Sequence, residues 1–167
     1  MPTDAELFSL AARVGAELLS AERRLVTAES CTGGWIGKAL TDVPDSSAWY
    51  LGGVVAYSNT LKQSLLAVLP STLQAHGAVS EAVAREMALG ALAGFNGDVA
   101  LSVTGIAGPK GGQPGKPVGT VWFAWAWREG EEIETRVALE TFSGDREAVR
   151  RQTVARALSE LLKLGWS

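Results

Sequence analysis

Apolar positions at Leu7, Leu10, Ala11, Val14 and Leu18 recur in steps of three and four, predicting a helix over 5–21 that stops before the charged run Glu22-Arg23-Arg24. Leu25-Val26-Thr27-Ala28 reads as a short buried strand, and Trp35 to Leu40 as a helix closed by Asp42-Val43-Pro44. A second strand is predicted over 49–57, where the pair Gly52-Gly53 suggests a bulge or a close backbone contact. A short helix follows from Asn59 to Val68, and Gly77 reads as the C-cap of a helical segment ending at His76. Ser80 is the expected N-cap of a helix reaching about Ala93, and Asp98 to Val103 the next buried strand.

The stretch from Gly105 to Gly119 holds six glycines and three prolines, so it is a long loop, of the kind that is usually functional in a compact domain. Strands over 120–127 and 133–139 flank the charged turn 128–132 and form a hairpin, and a helix opened by Ser143 or Asp145 closes the chain. Interleaved helices and strands with one hairpin predict a three-layer α/β/α sandwich around a mixed, mainly parallel sheet, with all of 1–167 in one domain. A purely parallel doubly wound sheet is the second choice.

Bulk composition narrows the function. A chain of 167 residues that is 47% hydrophobic and 20% charged can bury a substantial core without staples. No apolar run approaches the roughly 18 residues of a membrane span, and no signal peptide is visible, so a cytoplasmic, membrane-free protein is expected. A net charge of −3 supplies no general field for a polyanion, and nucleic acid is not an expected partner. One cysteine and one histidine cannot build an ordinary zinc site, so neither a metal nor another cofactor is expected.

The candidate chemistry centres on Ser30, in Glu29-Ser30-Cys31-Thr32-Gly33-Gly34 between a predicted buried strand and a helix. Such a turn lies at the carboxyl edge of the sheet, where open α/β sheets place ligands, and the helix start offers N–H groups to an oxyanion while Gly33 and Gly34 admit a substrate closely. A purely structural alternative makes Ser30 or Thr32 the helix N-cap. The only histidine, His76, suits a helix C-terminus better than a general base, which leaves a lysine base as the alternative if burial lowers its pKa. Lys62 is the candidate, with Tyr57 five positions before it able to relay a proton or orient it; a solvated lysine and a strand-end tyrosine are the bland readings. Cys31 is read first as a small core residue and second as a rival nucleophile. Lys110 and Lys116 in the glycine-rich loop, and Arg146, Arg150 and Arg151 in the last helix, are candidate anion ligands, with solvated surface as the alternative. Trp125 and Trp127 share one sheet face, which fits a core or a subunit interface.

Taken together, Thr27-Ala-Glu-Ser-Cys-Thr-Gly-Gly34, Gly53-Val-Val-Ala-Tyr-Ser-Asn59 with Lys62, Gly77-Ala-Val-Ser80, Ser102-Val-Thr-Gly-Ile-Ala-Gly-Pro109 and Lys116-Pro-Val-Gly119 closely resemble the competence-damage-inducible protein CinA C-terminal family. The resemblance spans nearly the whole chain. It implies deamidation of nicotinamide mononucleotide to nicotinic acid mononucleotide and ammonia, in pyridine nucleotide (NAD) salvage. It also implies a serine nucleophile at Ser30, a lysine base at Lys62, a supporting Tyr57, and a substrate pocket formed by Cys31, Thr32, Gly33, Gly34, Thr104, Gly105, Ala107 and Gly108, with Arg146 near the phosphate. The expected partners are a small nucleotide and further copies of the chain, as a dimer or higher homo-oligomer. Family members often carry an N-terminal domain linked to ADP-ribose hydrolysis, which this sequence lacks, so no pyrophosphatase activity is expected. The competing readings are a nucleotide-binding regulatory module without catalysis and a serine-lysine hydrolase of another amide or ester.

Overall fold

The computed structural model describes residues 1–165. Six helices, α1 (Asp4–Ser20), α2 (Trp35–Thr41), α3 (Asn59–Leu66), α4 (Pro70–His76), α5 (Glu81–Gly94) and α6 (Arg146–Leu161), surround five strands, β1 (Leu25–Glu29), β2 (Tyr50–Val55), β3 (Val99–Gly105), β4 (Thr120–Glu129) and β5 (Glu132–Thr141). The strands form one sheet in the order β2-β1-β3-β4-β5. β1 runs parallel to both β2 and β3, whereas β4 is antiparallel to β3 and to β5, so four of the five strands point the same way. This is the mixed, mainly parallel sheet with a hairpin that the sequence predicts.

The two faces of the sheet differ in side-chain size, and that difference sets the layers. Leu101, Val103, Phe123, Trp125 and Trp127 join Leu7, Val14 and Leu18 of α1, Ile36 and Leu40 of α2 and Val154, Leu158 and Leu161 of α6 in one core. Val26, Ala28, Ala100, Ala124 and Ala126 meet Ala84, Met87, Ala88 and Ala91 of α5 and Leu66 of α3 in the other. Alternation along each strand produces both faces from one sequence. Trp125 is fully buried and its indole N–H reaches the Ala157 carbonyl at 3.1 Å, so Trp125 and Trp127 belong to the core and not to an interface.

Two glycines bring α3 and β2 to their places. Gly90 of α5 lies against the Leu66 backbone carbonyl at the end of α3, where any Cβ would collide with it. Gly53 leaves no room for a Cβ beside Thr27, and the β1–β2 register shifts between Leu25 and Val26, so the predicted bulge and close contact both occur at this edge. No helix among the described residues is long and apolar enough to cross a membrane.

Candidate active site

β1 delivers the chain at Glu29 to a turn that reverses through Gly33 (φ 59°) and Gly34 (φ 99°), left-handed conformations that favour glycine, before α2 begins. The structural alternative, a side-chain N-cap from Ser30 or Thr32, is not what forms: Gly34 occupies the cap position and contributes no side-chain bond. Glu29 does the work instead. Its buried carboxylate accepts from the Thr32 hydroxyl (2.6 Å) and from the backbone N–H groups of Gly34 (3.2 Å), Ile36 (2.9 Å) and Gly37 (3.0 Å). A carboxylate at a helix N-terminus satisfies both the unpaired donors and the dipole. It also occupies the N–H groups expected to receive an oxyanion, so that expectation is corrected. The donors of this turn left without a partner among the described residues are the Cys31 and Thr32 N–H groups, because Ser30 N–H is bonded to the Val103 carbonyl and Gly33 N–H to the Ser30 carbonyl.

Freed from capping, the Ser30 hydroxyl faces Lys62, whose Nζ lies 2.9 Å from Oγ. Ser58 caps α3 by accepting from Leu61 N–H, and this helix turns Lys62 inward to 1% exposure. Nζ also donates to the carbonyls of Ala56 (2.9 Å) and Tyr57 (3.1 Å). As an ammonium Nζ donates to all three oxygens; once neutral it keeps two N–H donors for these carbonyls and one lone pair for the Ser30 hydroxyl. Burial lowers the Lys62 pKa from the ordinary lysine value, which favours that neutral form. Cys31 next door has the opposite tendency: burial pushes its thiol up to about 12, leaving almost no thiolate near neutral pH.

Ser30 and Lys62 lie in a cleft of about 260 Å³ that is also lined by Cys31, Tyr57, Asn59, Ala78, Val79, Thr104 to Gly108, Lys110, Gly111 and Arg146. The long loop after β3 thus forms one wall, and Thr104 ties it to the α4–α5 connection through a 2.9 Å bond from its hydroxyl to the Ala78 carbonyl. Arg146 bridges the mouth, donating to the Gly108 carbonyl (2.7 Å) and to the Tyr57 hydroxyl (3.2 Å). The Tyr57 side chain is exposed and its hydroxyl is not bonded to Lys62; the contact with the lysine is made by its carbonyl.

The remaining candidates are sorted by the same geometry. Of the expected pocket residues, Cys31, Thr104, Gly105, Ala107, Gly108 and Arg146 line the cleft. Thr32, Gly33 and Gly34 do not: Thr32 is turned onto Glu29, Gly33 lies under the Arg150 guanidinium and Gly34 against Val55. His76 ends α4 and does not line the cleft, and its carbonyl accepts from Lys116, which takes His76 from the general-base position and Lys116 from the anion site. Arg151 pairs with Asp4 and Glu147, and Arg150 donates to the Cys31 and Thr32 carbonyls.

Comparison with known proteins supplies the family. Residues 7–164 match the family model described as the CinA C-terminal domain. The chain belongs to the CinA C-terminal domain family. Among CinA relatives, the nicotinamide-nucleotide amidohydrolase PncC of Escherichia coli is 54% identical over 159 residues, covering 95% of this chain and 94% of that protein. The protein of the same name from Pseudomonas putida is 48% identical, covering 94% and 96%. The crystal structure of the competence damage-inducible protein A from Klebsiella pneumoniae superposes with a TM-score of 0.90 at 43% identity over 95% of this chain and 96% of that one. A competence/damage inducible protein from Agrobacterium tumefaciens gives 0.89 at 40% identity over 98% and 97%.

Within this CinA fold, sequence reading missed Glu29, Asn59, Ala78, Val79 and Gly111. Glu29 had a signal: an acid next to a helix start whose cap position is glycine. Asn59 was placed on α3 by the sequence, but its position in the cleft depends on the turn after β2.

Proposed function

We propose that this chain is a nicotinamide-nucleotide amidohydrolase, releasing ammonia and nicotinic acid mononucleotide from nicotinamide mononucleotide through a Ser30 nucleophile and a Lys62 base. The observation that carries the mechanism is the 2.9 Å Lys62 Nζ–Ser30 Oγ contact with both other Nζ directions occupied by carbonyls. The substrate is supported by the names of relatives that match the chain over nearly their full length.

In this reading Lys62 takes the Ser30 proton as Oγ attacks the carboxamide carbon. The oxyanion is held by the backbone N–H of Cys31, the cleft residue next to Ser30. Collapse of the intermediate expels ammonia, which carries off the proton held on Lys62 and leaves the carboxyl of nicotinic acid mononucleotide as an ester on Ser30. Water then gives its proton to Lys62, attacks the ester, and the ester oxygen recovers the proton as nicotinic acid mononucleotide leaves. Arg146, Lys110, Ala107 and Gly108 line the same cleft, the N–H groups of the last two have no partner among the described residues, and these groups would take the 5′-phosphate. The supporting role of Tyr57 is exercised through its carbonyl on Lys62 and its hydroxyl on Arg146.

An ammonia-release assay on nicotinamide mononucleotide tests the proposal with wild type, Ser30→Ala and Lys62→Ala. Turnover by the wild type, falling about 10³-fold or more in each variant, is expected. Absence of wild-type turnover returns the chain to a binding module or to another amide, and full activity in Ser30→Ala removes the nucleophile.

The same reading places the enzyme in NAD salvage in the cytoplasm, where a charged nucleotide is retained, with the whole site carried by one domain. It includes a homo-oligomer, for which exposed Leu61, Leu65 and Leu69 around α3 and Val55 on the edge strand β2 offer an apolar surface. Light scattering on the purified protein checks this; a monomer at all concentrations excludes it.

A further inference from the structure

The turn that carries Ser30 is gripped from two sides, and the second grip has no place in the reaction so far. Arg150 of α6 donates through Nε to the Cys31 carbonyl (3.1 Å) and through Nη2 to the Thr32 carbonyl (2.9 Å). The guanidinium is itself fixed, lying 5.5 Å from the centroid of the Trp35 ring, whose other neighbour is Arg151 at 4.9 Å. Arg150 does not line the cleft that holds Ser30, so it touches neither substrate nor reacting atoms.

Its effect passes through the peptide plane. The carbonyl of Cys31 and the N–H of Thr32 belong to one trans peptide and point in opposite directions, so fixing the carbonyl on Arg150 turns the N–H away from α6. The preceding peptide is set in the same manner: Gly33 N–H holds the Ser30 carbonyl and leaves the Cys31 N–H opposite. Of these two N–H groups only that of Cys31 belongs to a residue lining the cleft, Thr32 being buried outside it, so Arg150 holds Cys31 from its C-terminal side as Gly33 holds it from the other.

We propose that Arg150 is a positioning residue for the oxyanion site, holding the Cys31–Thr32 peptide and so fixing Cys31 with its N–H, next to Ser30 in the cleft, toward the developing negative charge. This rests on the serine-hydrolase reading of Ser30 and Lys62. It predicts an effect on the transition state with little on ground-state binding, whereas a merely structural arginine would alter stability or both parameters together.

The test uses Arg150→Met and Arg150→Lys in the full chain. With nicotinamide mononucleotide, kcat is expected to fall about 10²-fold in Arg150→Met, the loss typical of one oxyanion donor, while KM stays within about threefold. Arg150→Lys keeps the charge without the two-pronged grip and is expected to fall between; it serves also if Arg150→Met fails to fold. On a Ser30→Ala background, the Arg150 change is expected to leave the Kd for nicotinamide mononucleotide unaltered. A second readout needs no nucleotide: a fluorophosphonate forms an Oγ–P bond with Ser30 as the P–F bond breaks, fluoride leaving and the serine proton passing to Lys62. Its labelling rate is expected to fall at least tenfold in the folded variants. Unchanged kcat and labelling, or a kcat loss matched by an equal weakening of Kd, overturns the role of Arg150. A wild type inert to the nucleotide yet labelled at Ser30 in an Arg150-dependent manner would refute the substrate and keep this inference; one inert to both refutes both.

Discussion

Replacing Glu29 with glutamine tests whether one buried carboxylate holds the nucleophile turn. Glutamine retains an oxygen where Oε1 receives Thr32, Gly34 and Ile36, but its amide nitrogen then faces the Gly37 N–H that Oε2 accepts. Orphaning that donor costs about 1–3 kcal/mol, and losing the negative charge at the start of α2 roughly 0.3–1 kcal/mol more. A loss of about 1.3–4 kcal/mol is expected, or roughly 3–16 °C in Tm for a chain of this size. Glu29→Ala abandons all four donors and is expected to cost more than Glu29→Gln. Urea and thermal denaturation followed by circular dichroism measure both. A Glu29→Gln protein within about 0.5 kcal/mol of wild type, or an alanine variant no worse than the glutamine one, would refute the reasoning.

Because burial lowers the Lys62 pKa, kcat/KM should rise with pH along a limb whose midpoint lies below 10.5, the ordinary lysine value; a limb at or above 10.5 contradicts the assignment. The same depression means that between the folded pKa and 10.5 the unfolded chain binds the extra proton, so Lys62's contribution to stability improves as pH rises through that window, which pH-dependent denaturation of wild type against Lys62→Met checks. Cys31, its thiol raised to about 12 by burial, should resist iodoacetamide in the native protein at pH 8, and Cys31→Ala should retain turnover within about tenfold; rapid alkylation with loss of activity would move the nucleophile by one residue. Gly90→Ala should destabilise the fold by about 1–3 kcal/mol and lower kcat as well, since the added methyl drives α3, and with it Lys62, from α5; a neutral substitution by both measures counts against that packing.

Most elements were legible because each buries one face. The steps of three and four in Leu7, Ala11, Val14 and Leu18 mark a helix against a core, and all four are buried there. Ser30 and Lys62 were legible as candidates, by chemistry and by family resemblance, yet their 2.9 Å contact depends on Ser58 capping α3 and on Gly90 admitting it, neither of which spacing alone expresses. Glu29 was hidden for a related reason. At the end of a buried strand it reads as the last residue before the turn, and only the left-handed Gly33 and Gly34 bring the N–H groups five to eight positions onward back to its carboxylate. Tyr57 shows the reverse limit: the sequence placed it near Lys62, but a strand end does not determine where a hydroxyl points, and this one reaches Arg146.

The central claim is a covalent intermediate on Ser30, and acid quench of the enzyme during turnover of nicotinamide mononucleotide, followed by peptide mass mapping, tests it most directly. The account predicts an ester of nicotinic acid mononucleotide, through its carboxyl group, on Ser30 that is absent from Ser30→Ala and from Lys62→Ala. Turnover with no adduct under conditions that slow deacylation, or an adduct on Cys31, would contradict it.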